Sequence, residues 1–166
     1  MRIVAARRAD TSALAALMAS SPLLRRYRVT RIGARTSLDE ALREGDVLLL
    51  ARVGERVAGL LWLVPTRAFD RSAYLRLLLV AETDQSRGIG SALLERGEAA
   101  ARRGRARHLG LLVTSTNRGA RRFYADHGYR HVGTLPNFVR AGLDEALYLK
   151  RLRANPRGRR RRAVGR

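Results

Sequence analysis

A glycine-rich loop near the middle of the chain combines residue types that bind phosphate groups. Residues 85–90 read QSRGIG and lie between a predicted apolar strand and a predicted helix. Glycines allow backbone N–H groups to approach a ligand closely, and the N-terminus of a helix adds a partial positive charge. Because Arg87 adds a formal charge, the loop predicts a pyrophosphate cradle. A plain tight turn between strand and helix is the alternative for the loop taken alone.

Two well-known phosphate-binding motifs fit this loop poorly. A P-loop has Lys and then Ser or Thr after its last glycine, whereas this chain has Ser91 and Ala92 there. A dinucleotide-binding loop has a third small residue where this chain has Leu93. It also has an acidic residue at the end of the following strand, and none stands there in this sequence. The pattern therefore favours neither motif.

A second motif, residues 117–129, reads NRGARRFYADHGY. Together the two motifs resemble the signatures of the GNAT superfamily of N-acetyltransferases. The first signature is Gln/Arg-x-x-Gly-x-Gly/Ala at a helix start, and the second is Asn-x-x-Ala-x-x-Phe-Tyr-x-x-x-Gly-Phe. Tyr129 replaces the usual Phe, and Ala81 and Glu82 stand where many members have x-Pro. The resemblance covers roughly residues 2–152.

This resemblance implies that acetyl-CoA is a co-substrate, whose acetyl group goes to a primary amine. The sequence does not identify the acceptor, and amines of small molecules, peptides and proteins all stay open. The loop and the helix start would hold the pyrophosphate, and the preceding strand would pair its backbone with the pantetheine arm. The backbone N–H of Val80 would also polarise the thioester carbonyl. The residues implied to bind acetyl-CoA are Leu78, Leu79, Val80, Gln85, Arg87, Gly88, Ile89, Gly90, Ser91, Asn117 and Phe123.

Tyr124 stands where the family places a general acid for direct attack of the amine on the thioester. A phenol with a pKa of about 10 suits protonation of a leaving thiolate of similar basicity. A half-buried core aromatic is the alternative role of this residue. The general base stays unassigned, because Glu82 reads as a loop residue and His108 as a structural strand residue. Asp144 and Glu145 are candidates for binding an ammonium group.

The apolar pattern predicts an α/β (α+β) domain that positions these motifs. The pattern itself indicates a mixed sheet with one central βαβ unit. The GNAT resemblance implies that this sheet is mostly antiparallel, that the βαβ unit binds acetyl-CoA and that helices flank the sheet. One helix starts near Asp10 or Thr11, a second with loops lies within residues 20–35, and two more follow at 89–103 and 117–127. The predicted strands are residues 2–7, 47–52, 56–64, 73–80, 108–114, 129–135 and 145–152.

Three details of this prediction bear on the site. The second half of strand 73–80 is nearly all apolar, which predicts burial on both faces. In the helix at 89–103, Glu95 and Glu98 fall off the apolar stripe and are predicted to be outside the core. A loop through Pro136 and Gly142 is predicted to join the last two strands.

Composition limits the class of protein. The 166 residues include 34 Lys and Arg against 14 Asp and Glu, a formal net charge of +20, and 46% are hydrophobic. That fraction supports a buried core, and the absence of Cys excludes disulfides, a thiolate nucleophile and Cys-ligated metals. No metal site is predicted. No apolar run approaches the roughly 18 residues of a membrane span, so we expect a cytoplasmic protein without membrane contact.

Residues 154–166, ANPRGRRRRAVGR, predict a disordered Arg-rich tail beyond a domain of residues 1–153. The tail is expected to bind polyanions weakly and without specificity. A catalytically weak acyl-CoA-binding or regulatory protein is the second interpretation of the chain. A nucleic-acid-binding module is the third, disfavoured because only 5% of residues are aromatic. Family resemblance also leaves a homodimer open.

Overall fold

A seven-stranded mixed sheet forms the centre of the fold in this computed structural model, which describes residues 1–66 and 68–152. The strands lie in the order β1-β2-β3-β4-β5-β7-β6, and all neighbours are antiparallel except β4 and β5. The strands are β1 (Arg2–Ala5), β2 (Val47–Val53), β3 (Arg56–Pro65), β4 (Ser72–Val80), β5 (His108–Thr114), β6 (Arg130–Arg140) and β7 (Leu143–Arg151). The predicted mixed, mostly antiparallel sheet is confirmed.

Helices cover both faces of the sheet. Side chains alternate along β3, so that Leu60 and Trp62 join a buried cluster with α1 (Thr11–Ser20) and α3 (Arg31–Glu44), whereas Leu61 and Leu63 join another with α5 (Ile89–Arg103). Among the described residues, no helix is both long enough and apolar enough to cross a bilayer. The helices are α1 (Thr11–Ser20), α2 (Pro22–Arg26), α3 (Arg31–Glu44), α4 (Ala68–Arg71), α5 (Ile89–Arg103) and α6 (Arg118–Asp126).

Helix α3 extends nine residues beyond the region in which the sequence analysis placed a second helix. The Thr30 side chain accepts a hydrogen bond from the backbone N–H of Gly33 at 3.1 Å and caps the N-terminus. Gly45 ends the helix with a φ of 82°, which a glycine adopts without steric cost. Only three residues of this helix are buried and apolar, Ala34, Leu38 and Ala41, so its apolar period is weak in the sequence.

Strand β6 corrects the predicted loop between the last two strands. It continues through Pro136 to Arg140, and the chain turns at Gly142. Proline is tolerated because β6 is the edge strand, where a missing N–H costs no ladder hydrogen bond. The register slips between Leu135 and Arg140, and the Asn137 side chain accepts a hydrogen bond from Gly142 N at 2.6 Å. The predicted tail, residues 154–166, lies outside the described residues.

Candidate active site

Strands β4 and β5 pair over only four residues each and then separate. The pairing runs from Ser72 opposite His108 to Leu75 opposite Leu111. Beyond Leu75, β4 continues to Val80 along β3, and β5 continues to Thr114 along β7. Within the described residues, the facing edges of the two strands have no strand partner there. The middle of the sheet therefore offers a free main-chain edge, which can pair with an extended ligand.

The backbone of β4 directs alternate N–H groups into this opening. The N–H of Ala81 donates to Ala58 O of β3 at 2.9 Å, so it points away from β5. Because successive residues of a strand point their hydrogen-bonding groups to opposite edges, the N–H groups of Val80 and Leu78 face the opening. The separation also explains why Leu78 and Val80 are only half-buried, against the predicted burial on both faces.

A cavity of about 540 Å³ lies at the opening. Its wall comes from β4 and β5, from the start of α6, from β7 and from the segment between α1 and α3. The polar side chains on this wall that matter below are Tyr27, Tyr74, Arg76, Thr114, Tyr124 and Glu145.

The glycine-rich loop connects the end of β4 to the start of α5. Gly88 has a φ of 77°, and a Cβ there would meet nothing within 4 Å, so the loop faces open space. A Cβ on Gly90 would lie 3.6 Å from the Phe123 ring and 3.7 Å from Val80. The first turn of α5 therefore lies directly against the end of β4 and against α6. The N-terminus of α5 lies beside the end of β4, and its N–H groups and partial positive charge suit an anionic ligand.

A buried carboxylate that the sequence analysis missed supports the loop. Asp84 is fully buried and accepts hydrogen bonds from Arg56, from Thr83 at 3.2 Å and from Arg87 at 3.2 Å. The hydrogen bond from Arg56 lowers the pKa of Asp84 below its usual range. Arg87 is still 63% exposed, so its other N–H groups are available to a ligand. The Gln85 amide turns back to Val80 O at 3.5 Å.

A histidine that the sequence analysis did not single out joins the two motifs. Nδ1 of His127 lies 2.7 Å from Phe123 O, and Nε2 lies 3.0 Å from the Ser91 hydroxyl. A carbonyl only accepts, so Nδ1 carries a proton and donates to Phe123 O, while Nε2 shares a hydrogen bond with the Ser91 hydroxyl. The ring also lies 4.3 Å from the Phe123 ring, centroid to centroid. His127 thus fixes the start of α5 against the end of α6.

Tyr124 projects from α6 to the cavity and is 7% exposed. Its ring packs edge-on against Phe123 at 5.2 Å and against Tyr129 at 5.5 Å. Burial, with a smaller effect of Tyr74, raises the pKa of the Tyr124 phenol far above its ordinary value. No described residue hydrogen-bonds the hydroxyl. The phenol therefore stays protonated and has a proton to donate at the cavity wall.

Comparison with known proteins agrees with this geometry. The model of the Acetyltransferase (GNAT) family matches residues 16–129, more than half of the chain. The chain belongs to the GNAT acetyltransferase family. No curated protein matches it.

Solved structures share the fold of this GNAT chain. A GNAT-family protein from Desulfovibrio desulfuricans has 24% identity and a TM-score of 0.77, with 92% of this chain and 99% of that one covered. A ribosomal-protein-alanine N-acetyltransferase from Brucella melitensis has 23% identity and a TM-score of 0.77, with 92% and 100% covered. A Salmonella typhimurium protein solved with acetyl-CoA has 19% identity and a TM-score of 0.76, with 93% and 95% covered.

The structure separates the acidic and basic candidates of the sequence analysis. Glu82 is exposed on the loop, and Asp144 is exposed and accepts from Asn137 N at 3.0 Å. His108 lies at the start of β5, at the closed end of the sheet. Glu145, in contrast, is 3% exposed and lines the cavity of the GNAT domain.

Asn117 has a structural role that the structure shows directly. Its side-chain oxygen accepts from Ala120 N at 3.0 Å and caps α6, as its position before that helix predicted. It also lines the cavity, together with Leu78. Whether these two residues contact pantetheine stays a prediction.

Proposed function

We propose that this chain is an N-acetyltransferase that moves the acetyl group of acetyl-CoA to a primary amine. The separation of β4 and β5 is the observation that carries the proposal. It supplies a free main-chain edge at Leu78 and Val80, followed at once by a helix N-terminus behind two glycines. An elongated ligand with an amide-bearing arm and a pyrophosphate can pair its arm with the strand edge and place its pyrophosphate at the helix N-terminus, and acetyl-CoA is such a ligand.

The reaction is a direct transfer in which atoms and protons balance. The neutral amine attacks the thioester carbon, so a C–N bond forms while the C–S bond breaks. The N–H of Val80, which faces the opening, is placed to stabilise the oxyanion. The departing thiolate takes the phenolic proton of Tyr124, and the phenolate regains a proton from the attacking nitrogen. Tyr124 lines the cavity, and burial keeps its phenol protonated, so it carries a proton for the departing thiolate.

The charges of the cavity limit which amines suit it as acceptors. Of the side chains that line it, Glu145 is the carboxylate, whereas Arg28 and Arg76 bring positive charge. The Arg76 guanidinium lies 4.8 Å from the Trp62 ring centroid, and neither arginine has a carboxylate partner among the described residues. A polycationic amine would face repulsion here. We infer an acceptor with one amino group, such as an α-amino group, which the Brucella melitensis relative's name also suggests.

Acetyl-CoA binding is tested by thermal unfolding of the wild type and of Gly90→Asp. Excess acetyl-CoA stabilises the folded state of a protein that binds it, by about 2.7 kcal/mol at a concentration of 100 times Kd, and so raises its Tm. The aspartate adds bulk and negative charge where the pyrophosphate would lie, so the variant should fold but lose the shift.

Gly133→Asp is the matched control, because a Cβ at Gly133 meets nothing within 4 Å and the site is on the edge strand. It should keep the full shift. A wild type that does not respond to millimolar acetyl-CoA would overturn the proposal, and a response to NADH but not to CoA would point to a dinucleotide-binding protein.

A further inference from the structure

Glu145 is a buried carboxylate whose hydrogen bonding is incomplete. It is 3% exposed, and its Oε1 accepts from the Tyr27 hydroxyl at 2.5 Å. The same hydroxyl lies 2.5 Å from Oγ1 of Thr114, which therefore donates to it. Among the described residues, nothing hydrogen-bonds the second oxygen, Oε2. A carboxylate has about four acceptor positions on its two oxygens, so most of its capacity faces the cavity unused.

No described arginine or lysine neutralises Glu145, although the chain has 34 of these residues. The other two fully or largely buried acids, Asp84 and Glu98, each pair with two cations. Burying an unpaired carboxylate is unfavourable, and the cost falls when a ligand brings the missing positive charge. The chemistry that completes Glu145 is that of an N–H donor with a positive charge, which is an ammonium group.

The position of Glu145 agrees with such a ligand. It lies on β7 opposite Thr114, the last residue of β5 at the opened end of the sheet. Tyr27 reaches it from the segment after α2, on the side of the sheet covered by α1 and α3. Tyr124 reaches the same cavity from α6. An amine held at Glu145 therefore shares a cavity with the proposed proton donor.

We propose that Glu145 binds the ammonium group of the acceptor and accepts its proton, with Tyr27 and Thr114 positioning the carboxylate. This inference rests on the acetyltransferase function proposed above. Oε2 takes one proton from R-NH3⁺ and releases the neutral amine, which attacks the thioester. The proton then passes from Glu145 to solvent, so that the net products are the amide, CoA thiol and one proton.

The surrounding groups keep this proton transfer specific to Glu145. The groups that titrate or carry charge around it are Tyr27, Tyr74 and Tyr124 as phenols, and Arg28 and Arg76 as cations. Burial, and then the hydrogen bond to Glu145, raise the pKa of Tyr27. Burial raises the pKa of Tyr74 as well. These phenols stay neutral at physiological pH, and a guanidinium has donors but no acceptor, so Glu145 is the group in this set that can take a proton.

The test compares Glu145→Gln with Asp144→Asn, its exposed neighbour, using an alanyl tripeptide with a free α-amino group and ethanolamine as probe acceptors. Glutamine keeps the shape and the hydrogen bond from Tyr27 but cannot accept a proton. Loss of a general base typically slows a reaction about 10²–10⁴-fold. We expect that loss in kcat/KM for Glu145→Gln, with the acetyl-CoA shift in Tm unchanged, and near wild-type rates for Asp144→Asn.

Two further readouts separate a catalytic role from a structural one. The wild type should lose activity as the pH falls and a carboxylate is protonated, and Glu145→Gln should lack this acidic limb. Tyr27→Phe should cost less, roughly tenfold, and should raise KM more than it lowers kcat, because only positioning is lost. Activity of Glu145→Gln within twofold of wild type would overturn the inference and leave the proposed function standing. A wild type that acetylates neither probe and does not bind acetyl-CoA would overturn both.

Should the wild type bind acetyl-CoA but acetylate neither probe, acetyl-CoA hydrolysis replaces the amine assay. Water is then the nucleophile, and the same carboxylate would remove its proton. Hydrolysis that is equally fast in the wild type and in Glu145→Gln, or that is absent from the wild type, would also count against Glu145 as the base.

Discussion

Two buried glutamates lie near opposite ends of β7, one in the strand and one in a helix that contacts it, and their surroundings differ. Glu98 of α5 is 7% exposed and is enclosed by donors. Its Oε1 accepts from Lys150 Nζ at 2.6 Å and from the Tyr129 hydroxyl at 3.2 Å, and its Oε2 accepts from Arg102 at 3.4 Å. Lys150 belongs to β7, near the end at which β4 and β5 are paired. Glu98 therefore connects helix and sheet where the fold is closed.

Glu145 has one phenol as its donor and sits at the other end of β7, where the sheet is open. The difference shows how to distinguish a structural buried carboxylate from a functional one. A structural carboxylate has its charge balanced inside the protein, whereas a functional one leaves a place for a ligand's charge. In these terms the closed end of the sheet supplies stability, and the open end supplies the site.

The largest expected effect is at the open end, from Tyr124→Phe. The ring and its packing stay, but the proton for the leaving thiolate is lost, so kcat should fall about 10²–10⁴-fold while acetyl-CoA affinity stays near wild type. Steady-state kinetics with the alanyl tripeptide and a binding titration measure the two quantities. A loss below tenfold, about 1.4 kcal/mol, would assign Tyr124 to packing, and a parallel fall in affinity would assign it to cofactor orientation.

A substitution at the closed end should change the free energy of unfolding and leave the catalytic rate unchanged. Glu98→Gln removes the charge that Lys150 and Arg102 face and weakens their hydrogen bonds, so the free energy of unfolding should fall by about 1–3 kcal/mol. Acetyl-CoA binding and kcat should stay unchanged. Urea unfolding and the kinetic assay, run beside Glu145→Gln, measure both. The comparison breaks if Glu145→Gln destabilises the fold as much as Glu98→Gln does.

The same end of the sheet predicts a loss of stability at alkaline pH. Burial, and then the charge of Glu98, raise the pKa of Tyr129 well above that of a free phenol. In the unfolded chain this phenol ionises near pH 10, whereas in the folded protein it stays protonated. Unfolding above about pH 10 therefore releases a proton, and stability falls with pH by up to about 1.4 kcal/mol per unit.

Tyr129→Phe should make this slope shallower without abolishing it, because Phe has no proton to release, whereas the phenols of Tyr27, Tyr74 and Tyr124 also have raised pKa values and still contribute. Urea unfolding at several pH values from 8 to about 11 measures the slope in both proteins. Equal slopes would mean that the Tyr129 hydroxyl is not held in its neutral form by the fold.

Local patterns in the sequence were enough to predict the bounds of the elements with strong periodicity. Helix α5 and strand β5 have the predicted bounds, 89–103 and 108–114, because a glycine turn and dense apolar spacing mark each. The loop between β4 and α5 also follows from local chemistry. Helix α3 is longer than predicted. Its buried contacts use two small residues, Ala34 and Ala41, with Leu38 between them, and such a pattern gives a weak helical signal.

The site depended on long-range pairings that no local pattern contains. Asp144 and Glu145 are adjacent acids, and only the register of β7 decides which one is buried, since a shift of one residue exchanges the faces. Glu98 was predicted to be outside the core because it falls off the apolar stripe of its helix. Its partner Lys150 is 52 residues away in the sequence, so no local pattern indicates their contact. The opening itself depends on where β4 stops pairing with β5, which the apolar residues of β4 do not reveal.

The smallest effect on the fold is expected from the Arg-rich tail. Deleting residues 154–166 should leave the free energy of unfolding and the acetyl-CoA shift in Tm unchanged, because no apolar run in this segment could anchor it. Glu98→Gln and Glu145→Gln should have the same effects in the truncated protein as in the full chain. Retention on heparin should fall and depend less on salt, since exposed arginines bind polyanions by releasing counterions.

A full-length variant with Gln in place of Arg157, Arg159, Arg160, Arg161 and Arg162 separates charge from length. It should match the deletion on heparin and the wild type in every other measurement. If the deletion unfolds the domain or abolishes acetyl-CoA binding while this variant does neither, the tail packs on the domain. Stability or cofactor binding would then depend on the tail as well as on the closed and open ends of the sheet.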